Sequence, residues 1–180
     1  CPGHSTLLTG KHPANNGIVA NNWIDQSIAR EEKSVYCAED ETKPRPAGGP
    51  GYSVSPVHLR AATLGQIAKQ AWPQSLNVAV AAKDRAAVMM SGHRADQRWY
   101  WDGKQFVTDL KPARAPASVI RLNGALAAAL AAPREPLASP QYCQAKATPV
   151  TVGSLTVGGH RFARAAGDAR AFRNSPEMDG

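Results

Sequence analysis

Three residues in succession, Lys83-Asp84-Arg85, follow the short apolar run Asn77-Val-Ala-Val-Ala-Ala82. Two cations at i and i+2 beyond a buried strand can meet one anionic ligand, because alternate residues of an extended segment point the same way. A guanidinium gives a planar, bidentate grip on phosphate or carboxylate, and an ammonium adds a point charge. The competing reading makes Lys83 and Arg85 solvated loop charges paired with Asp84. Ser5, Thr6 and Thr9 read as helix caps or packing hydroxyls and not as nucleophiles. No general base can be named for a Cys1 thiolate. Five histidines stand at 4, 12, 58, 93 and 160, with no His-x-x-x-His or His-x-His pair among them. His4 reads as orienting a Pro-Gly-His turn, and His12, His58 and His160 as surface residues. Trp99, Tyr100 and Trp101 read as hairpin packing in preference to a stacking platform.

These residues need elements to hold them. The near-continuous apolar run at 77–82 has the pattern of a strand covered on both faces in a parallel sheet. It follows a helix expected from Thr63 to Ala71, with Leu64, Ile67, Ala68 and Ala71 at helical spacing and Trp72-Pro73 closing it. In open α/β sheets ligands bind beyond the carboxyl ends of the strands, which is where Lys83 and Arg85 fall. A second short apolar run covers Ala86 to Met90. A hairpin is expected over Trp99 to Val107, turning at Asp102-Gly103. Before all of these, Pro2 and Gly3 break the chain, a short helix ends at Gly10, and Asn15-Asn16-Gly17 forms a turn. Residues 38–56, rich in Pro, Gly and charge, are expected to form an exposed loop. An Ala/Leu-rich helix is expected from Ser118 to Ala132, stopped by Pro133. The remainder is loop-like, with short strand candidates within Pro149 to Val157.

Composition narrows the classes. The chain has 180 residues, 43% hydrophobic and 19% charged, a balance that suits a packed domain and excludes collagen-like, coiled-coil and disulfide-scaffold classes. The longest apolar candidate, around Ala125 to Ala132, is too short for a membrane span. A formal charge of +7 arises from 21 Lys and Arg against 14 Asp and Glu, which suits an anionic ligand. The basic residues are scattered, without a run or an aromatic ladder, so a nucleic-acid partner is not expected. Cysteines at 1, 37 and 143 lack zinc-site spacing. Cys37 and Cys143 form either a bridge, which implies an oxidising compartment, or two buried thiols.

The stretch Cys1-Pro-Gly-His-Ser-Thr-Leu-Leu-Thr-Gly-Lys-His-Pro-Ala-Asn-Asn-Gly-Ile-Val-Ala-Asn-Asn-Trp23 resembles the nucleophile segment of the alkaline phosphatase superfamily. Within it, the similarity is to threonine-nucleophile alkaline phosphatases and their relatives, the nucleotide pyrophosphatases/phosphodiesterases. Pro2, His4, Thr9, Gly10, Pro13, Gly17, Ile18 and Val19 fall on the family pattern. Asn21 takes the place of the Asn that contacts the phosphoryl group, and the nucleophile takes the place immediately before Cys1. Lys83-Asp84-Arg85, with Ser91-Gly92-His93-Arg94-Ala95-Asp96 and Trp99-Tyr100-Trp101-Asp102 after it, is similar to the monoesterase branch, where such a Lys/Arg pair holds non-bridging oxygens. The 62 residues from Asn21 to Lys83 agree with that branch. The segment Arg164 to Pro176 also resembles this family.

The resemblance implies an α/β fold, an alkaline phosphatase-like α/β/α sandwich that is incomplete. Residues 1–180 are then expected to be a partial domain, lacking the N-terminal strand with the nucleophile and the C-terminal metal-binding half. It further implies that the full-length protein hydrolyses phosphate monoesters through a covalent phospho-threonine in a two-zinc site, in the periplasm or outside the cell. Asn21, Lys83 and Arg85 are the expected catalytic and substrate-binding residues. No residue of the chain is assigned to the zinc ions, His93 included, and the chain alone is expected to be inactive. A nucleotide pyrophosphatase/phosphodiesterase and a non-catalytic phosphate-binding fragment are the alternatives.

Overall fold

The computed structural model describes residues 1–45, 51–111, 114–133, 135–159, 161–162 and 166–167. Arg164 to Pro176, apart from 166 and 167, and His160 lie outside the described residues. The chain divides into two compact units, Cys1–Ile120 and Arg121–Gly180.

The first unit opens with α1 (Pro2–Thr9) and the one-turn α2 (Pro13–Asn16), each with Pro in its first turn and a left-handed Gly, Gly10 or Gly17, after it. Proline is preset for a first helical turn, where its missing N–H costs nothing. The helix thus begins at Pro2, ahead of Ser5 and Thr6, and those two are interior residues and not caps. Ser5 is buried, its hydroxyl donating to Pro2 O at 2.9 Å. Gly17 has φ 87°, and a Cβ there would stand 2.6 Å from His58 O, so both conformation and space demand glycine.

Two short strands follow, β1 (Asn22–Ile24) and β2 (Ser34–Tyr36), paired antiparallel with Trp23 opposite Val35. Of the exposed loop expected over 38–56, residues 42–45 are exposed, 46–50 lie outside the described residues, and the flanking parts are packed. Ala38 and Glu39 are buried, Glu39 bridges to Val54, and Asp40 N donates to Ser53 O. Backbone pairing folds this excursion back on itself and carries Tyr52 inward.

Helix α3 (Leu64–Ala71) begins at a full capping box, in which Thr63 and Gln66 exchange side-chain and backbone hydrogen bonds. Strand β3 (Val78–Ala81), helix α4 (Asp84–Ser91) and strand β4 (Gln97–Trp101) then form a β-α-β unit, with β3 and β4 parallel and Val80 opposite Trp99. A parallel pair requires such a crossover. The apolar run 86–90 is therefore helical, and its Ala87, Val88 and Met89 are buried. Gly92, in the single 3-10 turn Gly92–Arg94, has φ 65° and packs against Thr63 and Gln66. The expected hairpin forms from β4 and β5 (Phe106–Val107), and Asp102 closes it by accepting from Lys104 N and Gln105 N. Trp99, Tyr100 and Trp101 are all buried, so they pack and do not stack on a ligand.

The core joins Cys1, Ile18, Cys37, Ala38, Leu59, Val88 and Met89, with Trp23, Tyr36 and Val54 against it. Each fully buried large aliphatic side chain contributes about 1.5–3 kcal/mol, so this cluster ties α1, β2 and α4 together. Cys1 and Cys37 form a disulfide and Cys143 is free, which corrects the expected choice between a Cys37–Cys143 bridge and two thiols there. Among the described residues, β3 is the last strand of the three-stranded sheet. Its Val78 and Val80 are 51% and 62% exposed, so it is not covered on both faces. Leu8, Leu64, Ala68, Leu76 and Met90 continue this apolar surface into a groove of about 360 Å³.

The division between the units falls within α5 (Ala117–Ala131). The second unit pairs β6 (Leu137–Ala138) with β9 (Arg161–Phe162), carries the one-turn α6 (Gln141–Gln144), and forms a hairpin from β7 (Val150–Val152) and β8 (Leu155–Val157). Among the described residues no helix is long and apolar enough to cross a membrane.

Candidate functional site

Lys83 and Arg85 do not share one extended segment. Strand β3 ends at Ala81; Lys83 is the extended N-cap of α4 (φ −141°, ψ 137°), and Asp84 and Arg85 are its first two helical residues. Asp84 suits the positive end of the helix dipole, whereas Arg85 opposes it. Helix stability therefore does not account for Arg85. Lys83 is exposed and Arg85 half-buried.

Arg85 faces the start of α1. The His4 imidazole, in the first turn of α1, is pushed down first by partial burial, and the Arg85 charge adds to this. Asn21 meets the same point from the other side, its Oδ1 accepting from the Cys1 backbone nitrogen at 2.6 Å. Cys37 N donates to Asn21 O at 2.9 Å, and the disulfide fastens Cys37 to Cys1. The structure thus brings Asn21 and Arg85 to one end of α1, with Lys83 exposed two residues before Arg85. Neither α1 nor α4 has a side-chain cap on its first turn, which suits an anion at that end.

Sequence reasoning missed the tyrosines. Tyr36 Oη donates to Asp84 Oδ1 at 3.0 Å, and Tyr52 Oη donates to Asp84 Oδ2 at 2.5 Å. Arg85 Nη1 reaches Tyr36 Oη at 3.5 Å. The two rings lean on each other with centroids 4.9 Å apart. No motif or spacing singles out Tyr36 or Tyr52, because their contacts to Asp84 span 48 and 32 residues.

Burial pushes the Tyr36 phenol up to about 12, with Arg85 working against the rise and Asp84 adding to it. Burial and Asp84 also push Tyr52 up. The unfolded chain releases phenol protons near pH 10, while the fold retains them. Their contribution to stability is therefore complete below about pH 10 and is lost as the pH rises from there through about 12. The Tm of the full-length protein is expected to fall over this alkaline window, and a Y36F/Y52F variant to show a shallower fall. A parent Tm that stays level up to about pH 11.5 would contradict this.

Of the other described histidines, His12 and His93 are exposed and His58 is half-buried. His93 Nε2 is 2.7 Å from Leu59 O. His58 is not the surface residue expected: it pairs with Glu41 at 3.0 Å and meets the Trp23 ring edge-on. Among the described residues no three His, Cys, Asp or Glu side chains could together hold a metal ion. The described residues therefore do not fit a zinc pair, and no step is derived through one.

Comparison with known proteins places these features in a family. The family described as Type I phosphodiesterase / nucleotide pyrophosphatase matches residues 1–156. The chain is 48% identical over 179 residues to alkaline phosphatase PhoK of a Sphingomonas species, covering 99% of this chain and 32% of that protein. It is 41% identical over 182 residues to alkaline phosphatase PhoD of Zymomonas mobilis, covering 99% and 31%. In three dimensions it resembles the crystal structures of wild-type alkaline phosphatase PafA and of a variant substituted at one Thr, one Asn, one Lys and one Arg. Each gives a TM-score of 0.72 at 26% identity, over 94% of this chain and 35% of that one. The chain spans about a third of the length of these relatives, and its mixed helices and strands share the PafA fold.

Proposed function

This chain belongs to the Type I phosphodiesterase / nucleotide pyrophosphatase family, and from that membership we propose that the whole protein hydrolyses phosphate monoesters, with Asn21, Lys83 and Arg85 holding the phosphoryl oxygens. The observation that carries the reading is the gathering of Arg85, which acts on His4 in the first turn of α1, and Asn21, held beside Cys1 through Cys37, at one end of α1, two residues after an exposed Lys83. A monoester dianion carries one more charge than a diester, and two cations beside an amide suit it. The transition state of phosphoryl transfer spreads charge over three equatorial oxygens, so donors fixed in advance stabilise it without reorganising.

Spacing supports the same assignment. The Thr, Asn, Lys and Arg substituted in the PafA variant follow one another at separations of 21, 62 and 2 residues. In this chain Asn21 precedes Lys83 by 62 residues and Lys83 precedes Arg85 by 2. The separation of 21 residues between that Thr and Asn supports a further proposal, a threonine nucleophile immediately before Cys1 that would carry the covalent phospho-threonine. Two zinc ions are proposed for the whole protein on the family resemblance alone. The Cys1–Cys37 disulfide supports a periplasmic or secreted location, since such bonds persist in oxidising compartments.

The test compares an aryl phosphate with a bis(aryl) phosphate as substrates of the full-length protein. A charge-assisted hydrogen bond contributes about 1.5–3 kcal/mol, so a monoester preference of about tenfold or more in kcat/KM is expected, and K83A should erase most of it. A diester preference, unaffected by K83A, would assign the protein to the phosphodiesterase side of its family. Binding of inorganic phosphate without turnover of either ester would leave a phosphate-binding protein. Mass spectrometry of acid-quenched enzyme should show one phosphorylated threonine.

A further inference from the structure

We propose that Tyr36 and Tyr52 are positioning residues for the phosphoryl-binding guanidinium: they occupy both oxygens of Asp84, so that Arg85 stays unpaired by it and aimed at the phosphoryl oxygens. The inference rests on the reading of Arg85 given above and extends it to two side chains that act through Asp84 and Arg85.

A carboxylate set between two candidate phosphate-binding cations is a hazard for the site. Asp84 adjoins both Lys83 and Arg85 in sequence, and an ion pair with either would cancel charge that the substrate needs. The structure resolves this with neutral donors. Tyr36 takes Oδ1 at 3.0 Å and Tyr52 takes Oδ2 at 2.5 Å, and among the described residues Asp84 makes no ion pair. The carboxylate keeps its favourable place at the start of α4, while both cations remain available. With its O–H donated in a hydrogen bond to Asp84, the Tyr36 oxygen also presents a lone pair toward Arg85 Nη1 at 3.5 Å. One phenol thereby restrains both the acid and the guanidinium.

The brace is anchored to the same frame as the rest of the site. Tyr36 ends β2, next to Cys37, which is bonded to Cys1 and donates its backbone N–H to Asn21 O. A shift of β2 would move Asn21 and Arg85 together, which keeps the amide and the guanidinium in register. The tilted contact of the two rings, 4.9 Å between centroids, limits the freedom of either phenol. Positioning errors of about 1 Å can cost roughly 10²-fold in rate, so such a support matters to a site that works by geometry.

The test uses the full-length protein with Y36F, Y52F and D84N, assayed on an aryl phosphate and a bis(aryl) phosphate. Y36F is expected to lower monoester kcat/KM about tenfold while leaving the diester within about twofold, because the diester depends less on the second cation. In an R85A background Y36F should have almost no further effect, the sign of coupling through one residue. Y52F, which frees Oδ2 toward the cations, should raise the monoester KM, and D84N in the Y52F background should restore it. Equal losses on both esters, or a Y36F loss that persists in R85A, would overturn the proposal. A parent that turns over neither ester would sink the hydrolytic reading by itself. Calorimetric titration with inorganic phosphate then decides the present proposal: weaker binding by about fivefold in Y36F supports it, and unchanged binding overturns it. Should Y36F fail to fold, the Y52F and D84N measurements carry the same decision.

Discussion

Replacing Arg85 by alanine in the full-length protein is expected to lower kcat/KM for an aryl phosphate by about 10² or more, by analogy with deleting one preorganised transition-state donor. The loss should appear mainly in kcat, because a donor aimed at equatorial oxygens strengthens its bonds as charge develops there. Lysine at the same position should recover only part of the loss, since a point charge cannot reproduce a planar fork. Steady-state kinetics on the two variants check both statements, and an R85A effect under about threefold would remove Arg85 from its assigned role. The placement of this residue makes the expectation specific. It stands in the first turn of α4 against the helix dipole, beside a carboxylate already taken by two phenols.

The largest effect on stability is expected at a residue far simpler in purpose. Arg98 is 1% exposed in β4, with Nη1 2.6 Å from Asp109 Oδ2, Nε donating to Ser91 Oγ at 2.8 Å, and Nη2 donating to Gly92 O. It thus joins the strand to the end of α4 and to the segment after β5. Burial pushes Asp109 up, and Arg98 is what opposes that rise. R98L leaves a buried carboxylate without its partner and deprives Ser91 Oγ and Gly92 O of their donor. Breaking such a pair from one side costs about 3–5 kcal/mol, whereas removing both partners can be nearly neutral. Denaturant unfolding should therefore show R98L strongly destabilised and an R98L/D109L variant partly recovered. A loss under about 1 kcal/mol in R98L would mean that the pair is solvated in solution.

Much of this architecture was legible because local chemistry and tertiary structure agree. Thr63 and Gln66 stand three apart ahead of an apolar helical face, and α3 starts there with its capping box. The hairpin at Asp102-Gly103 and the strand at 78–81 are similarly local. Where the reading failed, the deciding contacts were distant. Tyr52 lies in a Pro/Gly-rich stretch that looks solvated, yet its hydroxyl bonds an aspartate 32 residues on. Cys1 pairs across 36 residues with Cys37, a choice that three cysteines cannot specify. Pro2 starts α1 with Cys1 as its cap, a residue type that carries no capping signal. The run 86–90 is short enough to suit either element, and the need for a crossover between parallel strands makes it a helix. As for the candidate site, Asn21, Lys83 and Arg85 were reached through resemblance and spacing, while their supports, Tyr36, Tyr52 and the disulfide, required coordinates.

The open side of β3 bears on the colloidal behaviour of the chain. A terminal strand presents a row of unpaired N–H and C=O groups, and Val78 and Val80 add an apolar strip beside the groove formed with Leu8, Leu64 and Leu76. Natural sheets blunt such edges with charge, proline or a bulge, and the sequence Val78-Ala-Val-Ala81 has none of these. Left uncovered, it is a template for strand addition between molecules, so the solubility of these 180 residues in isolation depends on what lies against β3 more than on their net charge of +7.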